Sequence, residues 1–168
     1  MSQRYVYTPG GIARLRARIA SVRGAYKAVC DDNPAALESG DTSGWHDNFA
    51  FEENQRQMHQ LARQVRDLEF VASQAQIVPV PRHEPERLIL GARFSYRFMN
   101  DEEIRWGWLA GWEDGDPEVG RVSYNSPLGV ALLGAEPGDV RELCLGGQVR
   151  AIEVVEVMRL PEDQCADA

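Results

Sequence analysis

The stretch Thr8-Pro9-Gly10-Gly11-Ile12-Ala13-Arg14-Leu15-Arg16-Ala17-Arg18-Ile19-Ala20-Ser21-Val22-Arg23-Gly24-Ala25-Tyr26-Lys27-Ala28-Val29 decides the architecture of this chain. Its residues Ile12, Leu15, Ile19, Val22, Tyr26 and Val29 recur at alternating steps of three and four. That spacing is the seam of a helix meeting one partner along a narrow stripe. Thr8 is placed to cap the free amides at the start, and Pro9 at the first helical position has no N–H to lose. Asn33-Pro34 predicts an interruption, because proline disfavours helical geometry in the residue before it. A last helical piece, Ala35-Ala36-Leu37-Glu38, follows, with Gly40 as its stop.

A second seam runs through Phe51, Asn54, Met58, Leu61, Val65, Leu68, Ala72 and Ala75, with the same spacing, and stops at Pro79, Pro81 and Pro85. Two such seams joined by one connection predict an antiparallel helical hairpin. At about 1.5 Å per residue, some 30 residues make an arm roughly 45 Å long. An arm of that length is expected to project, since packing into a compact bundle asks for a wider apolar stripe.

Charge divides the same way. Residues 1–78 hold nine Lys/Arg and nine Asp/Glu, so the net charge of −8 falls entirely on residues 79–168, which hold nine Arg and seventeen acids. Between Asp31 and Glu53 lie seven acids and no base (Asp31, Asp32, Glu38, Asp41, Asp47, Glu52, Glu53), while the flanking stretches carry the nine bases with only Asp67 and Glu69. The hairpin therefore has basic shafts and an acidic end. The acidic total argues against a general nucleic-acid coat, because affinity for phosphates comes from Lys and Arg.

After the proline-rich stretch the period changes from helical to two. Phe94, Tyr96 and Phe98 alternate with polar residues, as do Ile104, Trp106 and Trp108, and Asn100-Asp101 supplies turn chemistry between them. Further strands are predicted near 122–124, 141–145 and 149–158, with one short helix around 127–133 ended by Gly134. Trp106, Trp108 and Trp112 read as core before they read as a stacking platform, because few arginines interleave them and acids follow. The expected organisation is α+β: a hairpin over 1–78, a linker over 79–88, a small antiparallel sheet domain with a short helix over 89–160, and an acidic tail over 161–168. The chain holds 43% hydrophobic and 26% charged residues and no apolar run of bilayer length, so it is expected to be a folded cytoplasmic protein. Cys30, Cys144 and Cys165 match no zinc spacing and read as free thiols.

Two motifs, taken together, suggest a family. The first is Gly40-Asp41-Thr42-Ser43-Gly44-Trp45-His46-Asp47-Asn48-Phe49-Ala50-Phe51, between the helices. The second is Gly120-Arg121-Val122-Ser123-Tyr124-Asn125-Ser126-Pro127-Leu128-Gly129-Val130-Ala131-Leu132-Leu133-Gly134, followed by Gly138-Asp139-Val140. The pair resembles the bacterial Gre factors (GreA/GreB), whose tip reads Gly-Asp and then Glu/Asp-Asn, and whose second signature reads Ser-Pro-(Leu/Ile)-Gly and Ala-Leu-Leu-Gly, then Gly-Asp. The resemblance covers roughly residues 7–158.

The resemblance implies a coiled coil inserted into the secondary channel of RNA polymerase and an FKBP-like C-terminal domain docked on the channel rim through Ser126, Pro127 and Leu128. It implies that Asp41 and Asp47 assist the polymerase's catalytic Mg²⁺ in cleaving the 3′ end of backtracked RNA; Trp45, His46 and Asn48, beside them in sequence, are candidate contacts. The factor would then be no enzyme, hold no cofactor of its own, and act as a monomer. Carboxylates suit this role, because Mg²⁺ takes hard oxygen ligands and a second metal stabilises attacking and leaving oxygens together. Two departures stand out. Six positions separate Asp41 from Asp47, a tip longer than the family's, and Val130 stands where the family carries a basic or polar residue. Asp47 has a second reading as the cap of the second helix, and Trp45 one as a packing residue. Two other activities stay open: a channel-binding inhibitor without cleavage, and an FKBP-like folding or adaptor protein. A stand-alone metal nuclease is weaker, since no lysine or second acidic cluster lines a substrate path.

Overall fold

Thr8 does what its position promises. Its hydroxyl accepts from Gly11 N at 3.1 Å and its carbonyl from Ile12 N at 3.0 Å, and the first helix, α1, runs Pro9–Glu38. The structure, a computed structural model, describes residues 5–38 and 47–161, with the side chains of 5–31 and 51–161. The helix α2, Asp47–Ser73, returns. The chain divides into two compact units: Arg14–Gln74, and the residues up to Ala13 together with those from Ala75 onward.

The helical unit is an antiparallel pair. Arg23 Nε meets Glu69 Oε1 at 2.9 Å, and Asn54 Nδ2 donates to Val29 O at 3.3 Å. The earlier residue of α1 thus faces the later residue of α2. The predicted seams are among the less exposed positions: Leu15 and Ile19 are buried, and Val22, Tyr26, Val29, Phe51, Asn54, Met58, Leu61, Val65 and Leu68 are half-buried. The interruption expected at Pro34 is absent. α1 continues through it to Glu38. Proline lacks only one donor and crowds one carbonyl, and so late in a long helix the established turns carry the geometry past it.

The second helix ends earlier than expected, at Ser73, because the chain is claimed by a strand. Here β1 (Val6–Tyr7) pairs in parallel with β2 (Gln76–Ile77), with Gln76 N donating to Tyr5 O and Val78 N to Tyr7 O, both at 2.8 Å. A five-stranded sheet follows: β3 (Ala92–Phe98), β4 (Arg105–Ala110), β5 (Arg121–Ser123), β6 (Val140–Leu145) and β7 (Gln148–Arg159), in the order β5-β4-β3-β7-β6. The expected sheet was wholly antiparallel, but β5 runs parallel to β4. Residues 111–120, with a 3-10 turn at Pro117–Val119 and Gly120 at φ +70°, carry the chain back so that both strands run the same way. A bulge between Ser95 and Tyr96 shifts the β3–β7 register.

Phe94, Leu109, Leu132, Ile152 and Val154 form the core, each fully buried, with the short helix α3 (Pro127–Leu132) packed against β6. The stretch read as a linker packs into this unit too. Leu88 is fully buried and exchanges backbone bonds with Ala135 and Gly134 at 2.7 Å, and Val80 packs beside Trp108 and Leu160. Trp108 is core as predicted, while Trp106 is 45% exposed with the Arg93 guanidinium 4.8 Å from its ring centre.

Candidate functional site

Of the tip residues, Asp41, Trp45 and His46 lie outside the described residues. Asp47 and Asn48 form the first turn of α2 by backbone, and their side chains lie outside the description. Below the tip the shafts are as basic as the sequence requires, with Arg16, Arg18, Arg23, Lys27, Arg56, Arg63 and Arg66 all exposed. Among the described residues Arg23 pairs with Glu69 and Arg56 with Glu53. Such exposed pairs hold little energy. Tyr26 is raised above the usual phenol pKa, first by a hydrogen bond with the Cys30 thiol one turn on.

The second motif is a built turn. Ser126 Oγ accepts from Gly129 N at 3.1 Å and donates to Ser123 O at 2.7 Å, so one hydroxyl caps α3 and ties it to the end of β5. Pro127 takes the first helical position, as predicted. Gly129 is required by contact: a Cβ there would lie 2.1 Å from Ser123 O and 2.7 Å from Tyr124 Cα. The helix closes into Gly134 at φ +78°, whose N–H reaches Leu88 O. Gly138 N then donates to Val154 O at 2.7 Å. Asp139 accepts from Glu136 N at 3.2 Å and from Arg141 Nη2 at 2.7 Å, and this amide and guanidinium hold its carboxyl below the usual range. Leu128 is half-buried on the core, whereas Val130 is 65% exposed.

Beside this turn lies a groove of about 450 Å³, walled by Tyr96, Trp106, Val122 and Leu128, with Ser126 at one side and the Arg121–Asp116 pair (3.0 Å) at its rim. Ser126 and Leu128 are among the contact residues expected from the sequence, whereas Trp106 was expected in the core and Arg121 was given no role. The structure brings Ser126, Pro127 and Leu128 together and leaves the acidic tip in the other unit.

A further group unmarked by the sequence reading roots the first helix. Gly11 and Gly111 are both spaces that a side chain would fill: a Cβ on Gly11 would lie 2.9 Å from Asp114 Oδ2, and one on Gly111 2.9 Å from Val6 O. Trp112 N donates to Val6 O at 3.0 Å, and its ring stands edge-on to Tyr5 at 5.2 Å and tilted to Tyr124 at 6.1 Å. Gly10-Gly11 was the available signal, since two poor helix formers in a first turn ask for a reason.

These features define an α+β factor: a basic-shafted helical hairpin with an acidic connection, and a sheet unit presenting a capped Ser-Pro-Leu-Gly turn beside an aromatic groove. Residues 84–159 match the family model described as transcription elongation factor, GreA/GreB, C-term. The chain is 30% identical over 122 residues to transcription elongation factor GreA of Bartonella henselae, across 73% of this chain and 76% of that one. It is 27% identical over 154 residues to the GreA of Rhodospirillum rubrum, across 89% and 94%. A solved structure, GreA factor homolog 1 of Thermus thermophilus, aligns over 92% of this chain and 99% of its own at 20% identity and a TM-score of 0.42. The chain belongs to the GreA/GreB family of transcription elongation factors. Among the described residues no helix is long and apolar enough to cross a membrane.

Proposed function

We propose that this factor binds RNA polymerase, enters its secondary channel with the acidic end of the hairpin, and stimulates cleavage of backtracked RNA by the polymerase's own active site. The observation that carries the reading is the charge arrangement on an antiparallel pair: exposed bases along the shafts, and seven acids without a base between Asp31 and Glu53. A narrow rod of this kind delivers carboxylates to a recessed site, and its basic sides suit acidic walls. Asp41 and Asp47 supply hard oxygens of the kind Mg²⁺ takes, and Trp45, His46 and Asn48 stand beside them in sequence. Bound there, the polymerase's Mg²⁺ would activate water and stabilise the leaving oxygen. This chain's part is to add negative charge next to it. The sheet unit docks outside the channel, with the groove beside Ser126, Pro127 and Leu128 as its contact face. Trp106 and the exposed Val130 add the aromatic and apolar area that such contacts favour.

The test adds the purified protein to stalled, backtracked elongation complexes and follows the 3′ end of the RNA. Shortening that disappears in both Asp41→Asn and Asp47→Asn supports the reading. Slowed synthesis with RNA of unchanged length shows a channel-binding inhibitor instead, an outcome the six-residue separation of the two aspartates makes worth measuring. Failure to bind core polymerase at all returns the chain to the adaptor class.

A further inference from the structure

Asn54 breaks the rule that builds the rest of the hairpin. It occupies a seam position between Phe51 and Met58, and the seam beyond is Leu61, Val65 and Leu68. Its amide nitrogen donates across the pair to the carbonyl of Val29 at 3.3 Å. Its Oδ1 is buried and has no hydrogen-bond partner among the described residues. A buried, unpaired amide oxygen loses its hydration without return, so a leucine of similar volume would make the more stable seam.

The place of the contact shows what the asparagine supplies. Val29 lies five positions before Pro34 in the same helix. Proline has no N–H, so the carbonyl of Cys30, next to Val29, lacks its donor four residues on. The hydrogen-bond ladder of α1 is thus weakest at the turn that Asn54 touches, and the acidic connection begins a few residues later.

We propose that Asn54 is a positioning residue for the end of the hairpin. Its bond to the Val29 carbonyl fixes the face and register of α1 against α2 where Pro34 weakens α1. The acidic stretch that follows α1 in sequence, with Asp41, is thereby joined to two helices held in one register. A polar seam residue achieves this by penalising every slipped pairing, since a shift along the seam leaves the whole amide buried and unpaired, and it does so at a cost in stability. The consequence for cleavage rests on the reading of the tip given above; the consequence for the hairpin does not.

The experiment is hydrogen exchange on the full chain, with a thermal midpoint recorded for each variant. Asn54→Leu is expected to raise the midpoint of the hairpin and yet speed exchange of peptides spanning residues 30–38 about tenfold, while Asn54→Leu with Pro34→Ala returns that exchange to near its original rate. Unchanged or slower exchange in Asn54→Leu overturns the proposal, as does a lowered midpoint with faster exchange throughout both helices. The same variants enter the RNA-shortening assay, where Asn54→Leu should lose about tenfold in rate and the double variant recover it. A wild-type chain that shortens no RNA defeats the reading of the tip, and the exchange result still decides the role of Asn54.

Discussion

The sheet unit and the hairpin are held together on different terms. In the sheet unit Phe94, Leu109, Leu132, Ile152 and Val154 have no exposed surface, and glycines sit where backbone atoms leave no room for a side chain. In the hairpin the seam beyond Ile19 is half-buried at best, and the exposed faces of both helices mix charged residues with alanine and glutamine. The comparison teaches that the sheet unit's sequence is constrained by volume, whereas the hairpin's is constrained by periodicity and by what it presents. A change of one atom should therefore be severe in the first and mild in the second.

The severest test of that contrast is Gly129→Ala. Ser123 O would lie 2.1 Å from the new Cβ, and the obstacle is backbone on both sides of the contact, at Ser123 and Tyr124. We expect a loss of more than about 3 kcal/mol in urea unfolding followed by tryptophan fluorescence. A loss below about 1 kcal/mol would mean that the turn yields easily, and the volume argument would break.

What could be read from the sequence follows the same line. Periodic elements were legible: both helical seams, the Thr8 and Ser126 caps, and the strands around Phe94–Phe98, Trp106–Trp108 and 149–158 stand where spacing put them. What escaped was set by partners distant in the chain. Gln76-Ile77 looks like the end of a helix, until Val6-Tyr7, some seventy positions earlier, offers unpaired backbone to it. Val122 alternates with its neighbours whichever way β5 runs, so its parallel pairing with β4 depended on the path of 111–120, which no local pattern encodes. The Trp106 ring was expected in the core, yet it is 45% exposed, and only the sheet's register puts Arg93 over it. Of the candidate site, the Ser126-Pro127-Leu128 turn was legible because caps are local. The groove wall beside it was not, because Trp106 and Arg121 arrive from two other strands.

A matched pair of truncations sharpens the comparison between units. Phe94→Ala empties a fully buried site and should cost about 3–5 kcal/mol. Leu61→Ala removes a half-buried seam residue and should cost roughly 1–2 kcal/mol, below the usual range for buried leucines because water already reaches part of it. Near-ultraviolet circular dichroism reports the first and far-ultraviolet helix signal the second. Equal losses would show that the hairpin is packed as tightly as the sheet unit.

The smallest expected effect concerns charge at the end of the second motif. Asp139 is held below its ordinary pKa by the Glu136 amide and then by Arg141. A carboxyl lowered on folding adds stability that is fully present above its unfolded value, about 3.9, and is lost as pH falls through the folded value. The thermal midpoint of the sheet unit should therefore fall between pH 5 and pH 2.5 by less in Asp139→Asn than in the wild type, with the two curves parallel from pH 5 to pH 7. Because Asp139 is open to solvent, salt should narrow the difference further. An equal acid loss in both proteins would mean that the Gly138-Asp139 turn is kept by its backbone alone, through Gly138 N on Val154 O and Val154 N on Asp139 O, and that the carboxylate adds nothing to it.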